Sequence, residues 1–296
     1  MSPGDYSVVD VTELPPWYTR ERYVNRGYRR CRTLKACACS AFRLHNQTVN
    51  VWLHLPTSLL LLPYAMYQMS KLTHSDDTMD AQVVYVSVIF GNVTTLLVSS
   101  MSHLFFCYNR RVHNICWFAD FVGLLVGILG GGIGLGYFSF RCHPRLLGTY
   151  AATMATAFPL VLRHTWNLYT SHVGTLPLVP DDSFPEFVMP LGVFNLLSWI
   201  SVLVIDKVYL SEYTNMPLFE KAWNTAAMCP IILLTGALIH YLNFPESLLP
   251  PGTVDIIGHS HQLWHVCAAA LMVVWIHAVT QYYDAHVTHP CAVRGQ

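Results

Sequence analysis

Charge is what this sequence has least of: Asp, Glu, Lys and Arg make up 11% of its 296 residues, where soluble domains usually carry roughly 25%. That deficit excludes an ordinary soluble globular domain. Basic and acidic residues balance at 17 each, so net charge gives no reason to expect a nucleic-acid partner. No two cysteines stand at Cys-x-x-Cys spacing, and the nine (31, 37, 39, 107, 116, 142, 229, 267 and 291) do not follow a secreted disulfide framework. Most read as apolar packing residues; Cys37 and Cys39, beside the first apolar stretch, are candidates for acylation. The first forty residues hold no apolar core of signal-peptide type, which argues against an ordinary secreted precursor. Strand-type alternation is missing too, which removes a membrane β-barrel.

What is present is apolar length: 53% of residues are hydrophobic and 13% aromatic. Seven intervals lack Asp, Glu, Lys and Arg altogether: 44–70, 81–109, 121–140, 146–162, 187–205, 222–245 and 256–283. Each is about the length that crosses ~30 Å of hydrocarbon as a helix, 146–162 and 187–205 being the shortest. The expected fold is therefore all-α, a polytopic membrane protein of seven transmembrane helices. A basic N-terminal segment (1–43) precedes the helical domain (44–283), and a short tail (284–296) follows it.

Basic residues near span ends set the orientation. Eight lie before the first span (Arg20, Arg22, Arg26, Arg29, Arg30, Arg32, Lys35 and Arg43), and Arg110, Arg111 and Arg163 fall on the same side. Lys71, Arg141, Arg145, Lys207, Lys221 and Arg294 fall on the other. The excess puts the N terminus in the cytosol and the C terminus outside, so the sequon at Asn46 is expected to stay bare. The sequon at Asn92 lies inside a span and is expected to stay bare as well. Ala119, Gly123, Gly127 and Gly131 form a small-residue stripe at four-residue steps. It serves either packing within the chain, the expected use, or a homo-dimer face. Pro56, Pro63, Pro159, Pro190 and Pro230 fall inside spans and are expected to mark kinks.

The chemistry concentrates at one end. His261 and His265 are four apart, hence one turn above each other on a helix face, a spacing that lets two imidazoles hold one metal ion. His103, near the end of the second span, and Asp120, near the start of the third, lie on the same side and can converge on that pair. Three imidazoles with one open position are the ligand count of a catalytic zinc site. A carboxylate beside such an ion can hold a water molecule and take its proton. Ser99, one turn before His103, can orient water or a ligand carbonyl. His259 reads as a polar interface residue, and His54, His113 and His240 as hydrogen-bonded packing or loop groups.

Three blocks of residues carry a resemblance: GYRR (27–30) with HNQTVNVWLHL (45–55); Ser99-x-x-x-His103 with Asp120 seventeen residues on; and PES…PPG…D…GHSHQLWH (245–265). Together they resemble the progestin and adipoQ receptor family, which includes adiponectin receptors and membrane progestin receptors, over roughly residues 25–283. The resemblance implies a seven-helix fold with the N terminus inside, His103, His261 and His265 as zinc ligands, and Asp120 and Ser99 as water-holding and supporting residues. The adiponectin-receptor branch implies ceramide hydrolysis. The wording of HNQTVNVW and GHSHQLWH is closer to the progestin-receptor branch, which implies a steroid ligand and cytosolic signalling partners. Departures are Leu53 where the family commonly has threonine, Phe121 where tyrosine usually follows the aspartate, and a 245–255 loop lacking the usual basic residues.

Two functions follow as expectations. The first is a receptor binding a steroid or related lipid within the bundle, in the plasma membrane or, as the alternative, an internal membrane, with zinc near the cytosolic face. The second is a zinc amidohydrolase acting on ceramide-like lipids, with Asp120 as general base. A rhodopsin-type receptor is disfavoured by the orientation and by the absence of Asp-Arg-Tyr and Asn-Pro-x-x-Tyr. A transporter is disfavoured by the absence of repeats or paired intramembrane acids.

Overall fold

The computed structural model describes residues 5–71, 79–172, 196–197, 199–205, 207, 217–288 and 291. The chain is mostly helical, and the described residues include six long helices: α2 (Thr48–Lys71), α3 (Met79–Phe105), α4 (Arg110–Phe140), α5 (Pro144–His172), α6 (Pro217–Tyr241) and α7 (Ser260–Thr288). A short α1 (Leu34–Ser40) precedes them. Among the described residues, α3, α4, α6 and α7 are long and apolar enough to cross a membrane. The protein is an all-α polytopic membrane protein, as expected. The 187–205 interval and Pro190 lie largely outside the described residues, although 199–205 are helical.

Charge-free intervals mark hydrocarbon rather than helix ends. The third helix starts at Arg110, not near 121, because the Asn109 side chain accepts the Val112 amide at 2.9 Å and caps it there. Asp120 therefore sits ten residues inside α4 rather than at its mouth. Similarly, α5 runs through Arg163 to His172, since a long exposed arginine extends its head past apolar surface without ending a helix. Pro56 and Pro63 lie within α2, Pro159 within α5 and Pro230 within α6.

Segment 1–43 is not merely a basic lead-in. β1 (Tyr6–Val9) pairs antiparallel with β2 (Tyr28–Cys31), Tyr6 opposite Cys31 and Val9 opposite Tyr28. Val9, Leu14, Tyr18, Val24, Tyr28, Cys31, Ala36 and Cys37 make a core of their own, closed by Cys107 and Phe106 just past the end of α3. Tyr18 packs on Phe106 with ring centroids 5.2 Å apart. Arg29 is fully buried: its guanidinium donates to the Leu104 carbonyl at 3.2 Å, to the His103 carbonyl and to Ser40 Oγ at 2.7 Å. It thus satisfies carbonyls left open at the C-terminal end of α3, where positive charge is favoured. Cys37 is fully buried, which removes it as an acylation site, whereas Cys39 remains partly exposed.

The segment is latched to the chain's far end. The backbone amides of Asn25 and Arg26 donate to Asp255 Oδ2 at 3.2 and 2.9 Å, and the Arg26 side chain reaches the Gly252 carbonyl at 3.2 Å. Gly27 has φ of +88° and a Cβ there would lie 2.4 Å from Ile256, so this position requires glycine. Asn46 is fully buried, which sets its sequon aside on steric grounds, and the Asn92 amide donates to the Val88 carbonyl inside α3.

At the opposite end of the bundle, Cys142 after α4 is disulfide-bonded to Cys291 after α7, with Cα atoms 5.4 Å apart. Their separation of 149 residues left no spacing to read.

The glycine stripe packs inside the chain. Gly123 and Gly127 face Thr95 of α3, and Gly131 faces Trp275 of α7. Thr95 Oγ1 is anchored by the Gly91 carbonyl at 2.9 Å and the Gly123 carbonyl at 2.6 Å, and a Cβ on Gly127 would sit 2.5 Å from it. Gly127→Leu is expected to lower stability by about 1–3 kcal/mol through overpacking, read as a drop in the thermal unfolding midpoint of detergent-purified protein.

Candidate metal centre

His103 near the C-terminal end of α3 and His261 and His265 on the first two turns of α7 present ligand nitrogens within 4.8 Å of one another. Ring centroids are 4.5 Å apart for His103 and His265, 4.8 Å for His261 and His265, and 5.4 Å for His103 and His261. Asp120 Oδ2 lies 3.4 Å from His103 Nε2, and Ser99 is within hydrogen-bonding reach of the same carboxylate. All five residues singled out in the sequence are thus brought together.

The sequence reading missed what holds them. His103 Nδ1 donates to Gln47 Oε1 at 2.8 Å, and Gln47 Oε1 also accepts the Asn50 amide at 2.7 Å. That fixes the tautomer of His103 and leaves Nε2 buried without a well-formed hydrogen bond. His261 Nδ1 pairs with Glu21 Oε1 at 2.9 Å, and His265 Nδ1 lies 3.2 Å from His54 Nε2. His103 and His261 thus have Nδ1 on an oxygen acceptor and Nε2 available, the arrangement in which ring nitrogens hold a metal while their outer atoms are oriented by neighbours. This donor set suits zinc. Burial would raise the Glu21 carboxyl, but the His261 charge and the hydrogen bond from that ring outweigh it and hold the group well below the usual carboxylate range.

The rest of the two histidine-bearing motifs serves as scaffold. Gln262 Nε2 donates to the carbonyls of Asn46 and Ile256 at 2.8 Å each, and His259 Nε2 is 3.0 Å from the Asn46 carbonyl. Glu246, in the loop before α7, accepts the Ser260 amide at 2.7 Å and its hydroxyl. A carboxylate there also complements the helix N-terminus. His45 accepts the Gln47 amide on Nδ1 at 3.1 Å. Burial, and then the Arg29 charge, push its imidazole down to about 3, so it stays neutral. The loop that lacks the expected basic residues is anchored by its acids, Glu246 and Asp255.

Of the histidines set aside, His113 bonds Thr19 Oγ1 at 2.8 Å beneath the N-terminal segment, a packing role. His54 is buried against His265 and lines the same cavity. His240 packs its ring 5.2 Å from that of His261. That cavity, of about 140 Å³, runs from the histidines along Leu96, Phe106, Trp117, Phe121, Trp264 and Met272. Phe121 stacks on Trp117 at 4.5 Å, and Leu53 packs beside the cluster of Leu61, Leu96 and Met272, so both departures fill apolar space.

Fold and site together define a multi-pass membrane protein with a histidine-rich, metal-competent centre opening into an apolar cavity. The chain belongs to the haemolysin-III related family, whose model matches residues 42–276. It is similar to human Progestin and adipoQ receptor family member 3, with 27% identity over 94% of this chain and 87% of that protein. Human Membrane progestin receptor gamma is 26% identical, over 87% and 76%. The Adiponectin receptor protein of Drosophila melanogaster is 25% identical, over 94% of this chain but 60% of its own length. Both kinds of receptor stand at nearly equal identity, so these matches do not select the progestin branch over the adiponectin branch.

Gln47→Ala, which leaves every ligand histidine in place, is expected to weaken zinc binding at this centre by roughly 10–100-fold. Competition against a chelator of known affinity measures the loss.

Proposed function

We propose that this protein binds a membrane lipid, of steroid or acyl-chain type, in the apolar cavity, with the lipid's polar oxygen directed at a zinc ion held by His103, His261 and His265. The observation that carries this reading is that the three imidazoles and Asp120 line one end of a cavity otherwise walled by aromatic and aliphatic side chains. Drug-sized apolar ligands with one or two polar atoms are bound in such places: mostly apolar walls supply the affinity and a few polar groups set the orientation. The N terminus and the histidine centre share the end of the bundle carrying most basic residues, which supports a cytosolic position for both. The disulfide at the other end fits an oxidising, extracytosolic side. A receptor in the plasma membrane that passes lipid occupancy to a cytosolic signalling partner is the form this reading takes.

Asp120 supports a second reading, hydrolysis of a lipid amide. Zinc at the three histidines would polarise the amide carbonyl and acidify a water molecule. Asp120, next to His103 and within reach of Ser99, is placed to accept that water's proton and hand it to the leaving amine. Ser99 orients the carboxylate. Phe121 and Trp117 keep bulk water from the amide, which strengthens each of these contacts.

Metal analysis tests the shared premise: His261→Ala/His265→Ala is expected to lose one zinc per chain relative to wild type, and an unchanged zinc content would sink both readings. Asp120→Asn separates them. It is expected to retain zinc and bound photoreactive steroid, while any ceramide turnover falls roughly 10²–10⁴-fold. No turnover by metal-loaded wild type leaves binding alone. An N-terminal epitope should stain only after permeabilisation and a C-terminal one without it; the reverse pattern would overturn the assigned orientation.

A further inference from the structure

We propose a second metal site, a zinc–thiolate site formed by Cys31 of β2, Cys37 of α1 and Cys107 in the turn after α3, which pins the N-terminal segment to the end of α3. The three sulfurs lie within 4.8 Å of one another, and those of Cys37 and Cys107 are 3.7 Å apart. With zinc–sulfur bonds of about 2.3 Å, the edge of a tetrahedral thiolate site is roughly 3.8 Å, so this separation is that of two ligands of one ion. All three residues are at most 3% exposed, and they come from three separate pieces of chain.

Two further observations point to charge missing from this spot. Arg29 is fully buried beside the sulfurs, yet among the described residues no carboxylate pairs with it. Its hydrogen bonds go to the neutral Ser40 hydroxyl and two carbonyls, its face lies over the Phe106 ring, and its Nε has no hydrogen-bond partner among the described residues. A buried guanidinium without an anion is costly. Three thiolates around a divalent ion carry one net negative charge, which neutralises Arg29; around a monovalent ion they would carry two. Beside the sulfurs, the buried hydroxyls of Tyr6 and Tyr18 also lack hydrogen-bond partners. A metal thiolate or a water in the fourth coordination position gives such O–H donors an acceptor, which a thiol does poorly. Three thiols are one too many for a disulfide, and the cytosolic side assigned to this end keeps thiols reduced.

The test uses full-length, detergent-purified protein with zinc exchanged for cobalt, because cobalt bound by sulfur shows a ligand-to-metal charge-transfer band and cobalt bound by imidazole alone does not. The band is expected in wild type, in Cys39→Ser and in His261→Ala/His265→Ala, and is expected to vanish in Cys37→Ser/Cys107→Ser together with one zinc per chain. Should that last variant not fold, wild type still decides: Cys31, Cys37 and Cys107 should resist a permeant maleimide until a chelator is added. A cobalt-loaded, folded wild type without the band overturns the site, as does loss of the band in the histidine variant or a Cys37–Cys107 disulfide in unreduced protein. Since the histidine variant is expected to keep the band, failure of the histidine centre and failure of this site are read separately.

Discussion

A polar group placed at membrane depth has no water to fall back on, so each must find its partner inside the protein. The histidine end of this bundle is organised by that constraint. Gln47, Asn50, Glu21 and His54 are there because imidazoles in a buried wall need their outer nitrogens satisfied. The same demand explains why carbonyls at the end of α3 draw in a buried arginine and why the first amides of α7 meet Glu246. What is left over once these needs are met is the set of nitrogens facing a common point.

Much of this was legible in residue order, and the parts that were not share a physical reason. Long charge-free intervals announce helices because hydrocarbon tolerates little else, and His261 and His265 announce a site because helical spacing puts them on one face. The start of α4 was hidden because Arg110 and Arg111 belong to the helix but not to the hydrocarbon. Glu21 was hidden because it lies 240 residues from His261 in a segment whose composition looks merely basic. Gln47 and Gln262 stood inside recognisable motifs, but a side chain's role as a support is a matter of what it touches, and sequence spacing records no touch across helices. The pairing of Cys142 with Cys291 was invisible for the same reason.

The cysteines divide by end. A disulfide closes the end away from the histidines, while three sulfurs within 4.8 Å of one another remain unbridged at the end that carries them. A disulfide at one end and the larger number of basic residues at the other are the pattern expected when the first end faces an oxidising side and the second the cytosol.

The latch between Asn25 and Asp255 spans 230 residues, and that distance has a meaning in time as well as space. During synthesis the N-terminal segment emerges early, but Asp255 and His261, the groups that receive it, lie 230 and 240 residues beyond Asn25 and Glu21. Glu21 and the amides of Asn25 and Arg26 must therefore wait for their partners until α7 and the loop before it leave the ribosome. The metal-competent centre is consequently completed only once the start of α7 has been made. A nascent protein halted before that helix would hold one histidine of the three, too few for this centre to retain an ion.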